Sequence, residues 1–356
     1  MLEIETRRVS PNTLLEFLKP RPLVITNASL LRDGSFSEMV APRLASNKLD
    51  VLIVRPNPTL TQLFTYYEAL EGIKPQCILG VGGGSVLDVA KLLAIALSDG
   101  SRRQTSAEGL EAILINSERR LPLIMVPTTA GTGAEVTPFA TIWDDQRRIK
   151  RSFENPSCRP DLVLFVPELT LHLTKKNTQY PGLDTVSHAI ESLWNVNRTP
   201  NTVKCSLEAL ALACENFEKV LAEPGDLEAR FRMLLAANKA GISISETKTA
   251  IAHAVSYPLT MIYGVPHGLA ASVSLPPLLE DLYPCLTRDF GESELFFDTY
   301  KLLKSMNLSG LLKEYLDPNK LTGHIQEIQG SDRLKNFCYH DQIKLSSVLS
   351  RLGMTE

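Results

Sequence analysis

The chain has 356 residues, of which 44% are hydrophobic and 22% are charged, and this composition is typical of globular proteins rather than of collagen-like, coiled-coil or disordered chains. Its length favours two domains, each large enough to fold without disulfides or a structural metal. The net charge is -3, and no long block carries one sign. The charge pattern therefore argues against nucleic acid and anionic membranes and favours a small-molecule partner.

The location predicted from the sequence is cytoplasmic. No apolar run reaches the roughly 18 residues needed to cross a bilayer, and the first residues lack the apolar core of a signal peptide. The six cysteines stand apart without CxxC spacing, which is typical of reduced thiols rather than of a disulfide framework or a zinc ribbon.

Short apolar runs alternate with helical stretches in the first half of the chain. Strands are predicted over residues 23–26, 51–54, 77–80 and 123–126, and a helix over 86–97. This alternation predicts an α/β domain with a parallel sheet, whose ligands bind at the carboxyl ends of the strands.

The second half has a period of 3.6 residues and is predicted to be helical. Helices are expected over residues 206–221 and 226–240, with Asp226 as an N-cap, and the last fifty residues favour short amphipathic helices with turns at Asp317-Pro318 and Gly330-Ser331. We therefore predict an α/β domain over residues 1–167 and a helical domain over residues 168–356.

Two loops rich in small residues follow predicted strands. The loop GVGGGS over residues 80–85 opens the helix that contains Asp88 and Lys91, and free N–H groups at a helix start suit a pyrophosphate, although glycines serve plain tight turns equally well. The loop PTTAGTGAEVT over residues 127–137 follows the strand at 123–126. Two such loops at the ends of parallel strands would form one cleft for a dinucleotide.

Three histidines and one carboxylate form a candidate metal site. Asp184 and His188 are four residues apart, so both side chains lie on one helix face, and His253 and His267 stand in a second window. A lone His188 would more often be a core or capping residue, but the set of four suits Fe(II), Zn(II) or a similar ion that polarises a carbonyl or an alkoxide.

Four motifs, GVGGGSVLDVAK, PTTAGTGAEVTPFATI, GLDTVSHAIES and HAVSYPLTMIYGVPHG, resemble the iron-containing (group III) alcohol dehydrogenase family over residues 20–270. The resemblance implies an N-terminal dinucleotide-binding α/β domain, a helical C-terminal domain and a metal and substrate site in the cleft between them. It implies metal ligands at Asp184, His188, His253 and His267, and a lysine near cofactor and substrate at Lys150. Cofactor contacts are implied at Gly82, Gly83, Gly84, Ser85, Asp88, Thr128, Thr129 and Thr132.

Two positions depart from the family pattern. Many members carry a histidine four residues after the third metal ligand, where it is thought to relay protons, and this chain has Tyr257 there. A phenol can relay a proton, but less readily near neutral pH than an imidazole can. Members that prefer NADH carry an aspartate after the first strand, and this chain has Asn27, which removes the repulsion of a 2′-phosphate and makes NADPH acceptable beside NADH.

The segment ETKTAIAHAVSYP narrows the resemblance to the phosphonoacetaldehyde reductase branch. Lys248 stands within two turns of His253, where relatives have small apolar residues, and it could bind a phosphonate together with an arginine such as Arg151 or Arg198. The alternative is a solvated lysine on an exposed turn.

The predicted function is reduction of phosphonoacetaldehyde to 2-hydroxyethylphosphonate by NADPH or NADH with Fe(II) or Zn(II), in a homodimer. The alternatives are a dehydrogenase for another small alcohol or aldehyde, a nucleotide-binding relative that has lost its chemistry, and a sugar-phosphate cyclase. The cyclase would need more basic residues near the second loop than the sequence has.

Overall fold

The chain forms two compact units in a computed structural model, which describes residues 4–18, 20–32, 34–46, 49–98, 105–145, 149–316 and 328–352. The first unit comprises Met1–Thr129 and Gly133–Leu173, and the second comprises Ala130–Thr132 and Thr174–Glu356. The 3-10 helix Pro167–Thr170 lies in the first unit, which extends to Leu173.

A parallel sheet organises the first unit. Six strands pair in parallel in the order β1-β8-β5-β4-β2-β3. Their bounds are β1 Glu5–Arg8, β2 Pro22–Thr26, β3 Asp50–Ile53, β4 Cys77–Gly82, β5 Leu123–Pro127 and β8 Leu162–Phe165. Strands β2, β4 and β5 are buried at every residue, as expected for a sheet that is covered on both faces.

The four strands predicted from apolar runs are confirmed, and four others were not predicted. The exposed edge strand β1 and the antiparallel ribbon of β6 and β7 lack a continuous apolar run in the sequence, whereas β8 consists of the apolar run LVLF and is buried at three of its four residues. The ribbon bounds are β6 Phe139–Asp144 and β7 Ile149–Glu154. The helices of the first unit are α1 Pro11–Leu14, α2 Ala28–Arg32, α3 Gly34–Ala45, α4 Leu60–Ala69, α5 Gly84–Ala96 and α6 Ala107–Asn116.

Helices dominate the second unit. They are α7 Lys175–Leu193, α8 Pro200–Ala222, α9 Leu227–Thr247, α10 Ile251–Tyr263, α11 His267–Ser272, α12 Leu275–Phe290, α13 Ser293–Ser305, α14 Leu308–Leu312 and α15 Leu345–Arg351, with 3-10 helices at Asp332–Asn336 and His340–Gln342. The predicted N-cap is confirmed, because Asp226 Oδ1 accepts hydrogen bonds from the N–H groups of Glu228 and Ala229, both at 2.9 Å.

The predicted fold class, an α/β domain with a parallel sheet followed by a helical region, is confirmed. The predicted turn at Asp317-Pro318 lies outside the described residues. Among the described residues, no helix combines the length and apolarity needed to cross a membrane.

Candidate functional site

The two loops of small residues lie side by side in the first unit, because β4 and β5 are paired neighbours. The N–H of Thr128 donates to the carbonyl of Gly82 at 3.0 Å. A Cβ at Gly82 would lie 2.6 Å from Val86 Cβ, and one at Gly83 would lie 3.1 Å from Thr129 Oγ1. Glycine is thus required for the close packing of this loop, which leaves its backbone open to a ligand at the carboxyl ends of the strands.

The positive end of α5 lies at the same loop. Gly83 is the N-cap of α5 and supplies no side-chain hydrogen bond, so the cap residue places no oxygen over the first turn. Ser85 Oγ, in that turn, accepts from the N–H of Asn57 at 3.2 Å. Such a helix start suits the phosphates of a dinucleotide.

A buried lysine joins α5 to the end of the second loop. Lys91 Nζ donates to Thr137 Oγ1 at 2.9 Å and to the carbonyl of Phe139 at 2.7 Å, and it lies 3.5 Å from Asp88 Oδ1. Asp88 Oδ2 also accepts from the N–H of Thr141 at 3.0 Å. Burial raises the pKa of Asp88, and Lys91 and Lys150 oppose that rise. Asp88 and Lys91 therefore fix the frame of the loops.

Asn27 lies at the carboxyl end of β2 and is the N-terminal cap of α2. Its Oδ1 accepts from the N–H groups of Ser29 at 3.0 Å and Leu30 at 3.1 Å. The second predicted loop is divided, since Thr128 and Thr129 belong to the first unit and Thr132 belongs to the second.

The four predicted metal ligands come together in the second unit. Asp184 Oδ1 lies 3.6 Å from Nε2 of His188, 3.6 Å from Nε2 of His253 and 3.9 Å from Nε2 of His267. The ligand atoms of the first three lie within 4.8 Å of one another. Helix α7 supplies Asp184 and His188, α10 supplies His253, and α11 begins at His267.

The cluster fits a divalent cation. Atoms that bind one ion at about 2.0–2.2 Å lie roughly 3–4 Å apart, which matches the separations from Asp184 Oδ1. Among the described residues, Asp184 Oδ1 and His253 Nε2 are buried and have no hydrogen-bond partner, and buried polar atoms normally have one. His267 is 34% exposed, whereas Asp184 is 4% exposed, so the cluster is open beside His267.

The protonation of the cluster agrees with metal binding. Burial tends to raise the pKa of Asp184, but His188, His267 and His253 hold it well below its usual range. Burial lowers the pKa of His188, which favours the neutral imidazole that binds metals. Burial also opposes protonation of His253, yet Glu191 and Asp184 raise its pKa to about 9, so a metal would displace a proton there.

Glu191 orients His253, and the sequence prediction missed it. Its carboxylate is fully buried. Oε2 lies 2.5 Å from His253 Nδ1, while Oε1 accepts from the N–H groups of Ala252 at 2.6 Å and His253 at 3.2 Å. A carboxylate on Nδ1 would leave Nε2 free to bind a metal held by this cluster. The available signal was the spacing on α7, where Glu191 follows His188 by three residues and therefore shares its helix face.

Two of the predicted substrate residues, Lys248 and Tyr257, lie on either side of His253 in the chain. Lys248 is exposed at the end of α9 in a positive-φ conformation (φ 62°), five residues before His253. Tyr257 is half-buried one turn after His253. Arg198 Nη2 lies 3.6 Å from Asp289 Oδ2, and Arg151 in the first unit lies 2.5 Å from Glu111 and 3.8 Å from Asp144. Both arginines already have carboxylate partners.

Comparison with known proteins gives the family. The model described as iron-containing alcohol dehydrogenase matches residues 8–167, and the model of the C-terminal region of the Fe-containing alcohol dehydrogenase family matches residues 178–307. The chain belongs to the iron-containing alcohol dehydrogenase family. The predicted family is confirmed.

Individual proteins agree with this membership. A phosphonoacetaldehyde reductase of Streptomyces viridochromogenes is 36% identical over 262 residues, which are 71% of this chain and 66% of the reductase, just under two thirds of its length. An NAD-dependent methanol dehydrogenase of Bacillus methanolicus is 29% identical over 82% of this chain and 74% of its own. The crystal structure of an iron-containing alcohol dehydrogenase from Thermotoga maritima matches with a TM-score of 0.75 at 25% identity, over 98% of this chain and 96% of that one.

Glu191→Gln should weaken metal binding about 10- to 100-fold, as loss of an outer partner of a metal-bound histidine does. The amide would present an N–H to His253 Nδ1 and favour the tautomer that carries its proton on Nε2. Titration of the metal-free protein with Fe(II) or Zn(II) measures the affinity. The control is Glu246→Gln, a carboxylate that accepts from Thr199 Oγ1 at 3.3 Å. Equal affinities of Glu191→Gln and the wild type would rule out the orienting role.

His188→Ala and His267→Ala should each abolish turnover and reduce bound metal while the protein stays folded, because neither imidazole belongs to the apolar core of the second unit. Metal content, turnover and the melting temperature are the measurements. His340→Ala is the control, since His340 is an exposed histidine of the same unit. Full activity of a metal-free variant would refute a catalytic metal.

Proposed function

We propose that the protein reduces phosphonoacetaldehyde to 2-hydroxyethylphosphonate, with NADPH or NADH as hydride donor and Fe(II) or Zn(II) as the metal. The observation that supports this proposal most directly is the cluster of buried Asp184, His188 and His253 with the partly exposed His267 beside it, in a chain of this family. The 36% identity to a phosphonoacetaldehyde reductase supports the choice of substrate.

The proposed roles follow the chemistry of each group. The proposed dinucleotide contacts are Asn27, Gly82, Gly83, Gly84, Ser85, Asp88, Thr128, Thr129 and Thr132. The metal ligands are Asp184, His188, His253 and His267. Lys150, Lys248 and Tyr257 act near the substrate.

When bound, the metal supplies Lewis acidity at the carbonyl oxygen, and the dinucleotide supplies the hydride. The chain's own groups do the positioning. Glu191 holds His253 through Nδ1, and Tyr257 carries a hydroxyl on the same face of α10, one turn away, where it can pass a proton to the product oxygen. Lys248 places a cation beside the start of that helix for the phosphonate.

A dehydrogenase for another small alcohol or aldehyde is the second candidate. The similarity to an NAD-dependent methanol dehydrogenase favours it. A binding protein without chemistry is the weaker alternative, since the metal cluster and both loops are present. A homodimer and a cytoplasmic location remain predictions.

A substrate panel tests the substrate assignment. The wild type should reduce phosphonoacetaldehyde far more efficiently than propanal or butanal, and Lys248→Met should raise KM for phosphonoacetaldehyde about 10- to 100-fold, as expected for a charge-assisted hydrogen bond. The KM for the neutral aldehydes should change much less. Equal efficiency of the wild type with butanal and with phosphonoacetaldehyde would exclude the phosphonate branch and leave the dehydrogenase class intact.

Asn27→Asp should shift the preference from NADPH toward NADH at least tenfold. A carboxylate near the 2′-phosphate costs about 4 kcal/mol at 4 Å before salt screening, at an effective dielectric constant of 20. Aspartate is as good an N-cap as asparagine, so α2 should be retained. The measurement is the ratio of kcat/KM for the two cofactors, and an unchanged ratio would remove Asn27 from the cofactor site.

A further inference from the structure

The cation of Arg333 lies beside Tyr257. Arg333 belongs to a part of the chain in which the sequence motifs gave no signal. Arg333 lies in the 3-10 helix Asp332–Asn336, which packs on α10. Its guanidinium carbon is 5.0 Å from the centre of the Tyr257 ring, and its Nε donates to Thr249 Oγ1 at 3.2 Å. We propose that Arg333, with Thr249, binds the anionic group of the substrate, an inference that rests on the proposed reduction of a phosphonate-bearing aldehyde.

The charge of Arg333 is not neutralised by a carboxylate among the described residues, since none lies within 4 Å of its guanidinium. The adjacent Asp332 is engaged elsewhere, because its Oδ1 accepts from Lys335 Nζ at 2.6 Å. Arg198, the arginine suggested by the sequence for this unit, is by contrast close to Asp289 and bonded to Cys338. Arg333 is half-buried, so its charge is less screened than that of a surface cation.

The contacts of Arg333 prepare it for a tetrahedral anion. The cation–π contact with the Tyr257 ring and the hydrogen bond from Nε to Thr249 restrict the orientation of the guanidinium. Its two terminal nitrogens then remain as paired donors, and paired donors match two oxygens of a phosphonate. Thr249 Oγ1 accepts from Arg333, so its hydroxyl hydrogen can be donated to a third oxygen.

Hydrogen bonds to backbone carbonyls anchor the segments that carry Lys248, Thr249 and Arg333. Asn336 Nδ2 donates to the carbonyl of Thr249 at 2.8 Å, and the N–H of Val196 donates to the carbonyl of Asn336 at 2.8 Å. Asn195 Nδ2 donates to the carbonyl of Lys248 at 3.2 Å. The side chains of Lys248, Thr249 and Arg333 therefore project from a fixed frame, which lowers the entropy cost of binding an anion.

The position relative to the metal ligands follows from the helix. Tyr257 follows His253 by four residues, so both side chains lie on one face of α10, about 6 Å apart along its axis. Arg333 covers the Tyr257 end of that face. An aldehyde whose oxygen is at the metal cluster would thus extend its anionic end toward Arg333.

Arg333→Met tests the proposal, with a substitution of an exposed lysine of the same unit, Lys344→Met, as the control. Arg333→Met should lower kcat/KM for phosphonoacetaldehyde about 10- to 100-fold and change that for butanal less than about threefold. Lys344→Met should change neither. Arg333→Lys, which keeps the charge without the paired donors, should fall between Arg333→Met and the wild type. Melting temperatures identify any variant that has lost its fold.

Inhibition by methylphosphonate separates this proposal from the proposed substrate. With butanal as substrate, methylphosphonate should inhibit the wild type and Lys344→Met equally, and Arg333→Met should need at least a tenfold higher concentration. That result would support the anion site whether or not phosphonoacetaldehyde is a good substrate. Poor turnover of phosphonoacetaldehyde would overturn only the proposed function. Equal inhibition of the wild type and Arg333→Met, or equal losses with both aldehydes, would overturn the role of Arg333.

Discussion

The buried carboxylate of Glu191 is the contact on which the second unit's site depends. It accepts hydrogen bonds from the N–H groups of Ala252 and His253 at the start of α10, and its Oε2 lies 2.5 Å from His253 Nδ1. One side chain thus satisfies the first backbone donors of the helix and sets the direction of an imidazole. Its negative charge also interacts favourably with the positive end of the helix dipole. Because a buried, unpaired carboxylate is costly, the start of α10 and the ring of His253 hold each other in place.

The segment between α9 and α10 combines a strained residue with hydrogen bonds that hold its backbone. Lys248 has φ 62° and ψ -179°, a conformation that costs a non-glycine residue of order 1–3 kcal/mol. Hydrogen bonds from Asn195 and Asn336 to the carbonyls of Lys248 and Thr249 offset this cost. An anchored turn just before His253 can hold the cation of Lys248 and the hydroxyl of Thr249 in fixed directions, which favours binding of a substrate.

The sequence predicted the parts of the protein that depend on local pattern. Buried strands show as apolar runs, Asp226 shows as a cap, and Asp184 and His188 show as a pair on one helix face. Contacts between distant segments leave no such pattern. Glu191 meets His253 across 62 positions, and Arg333 meets Thr249 across 84, so neither pairing could be read from spacing. The sequence suggested Arg198 as a cation for the substrate, but the structure places its guanidinium 3.6 Å from the carboxylate of Asp289.

The groups along α10 would set the positions of the two ends of the proposed substrate. His253 belongs to the candidate metal cluster, whereas Tyr257, one turn later, borders Arg333. The rise between the two positions, about 6 Å, is on the scale of a short aldehyde with an anion at its far end. A longer carbon chain between aldehyde and anion would have to fold to satisfy both ends and would lose conformational entropy in doing so. The spacing of groups on one helix face can therefore set the length of the substrate as well as its charge.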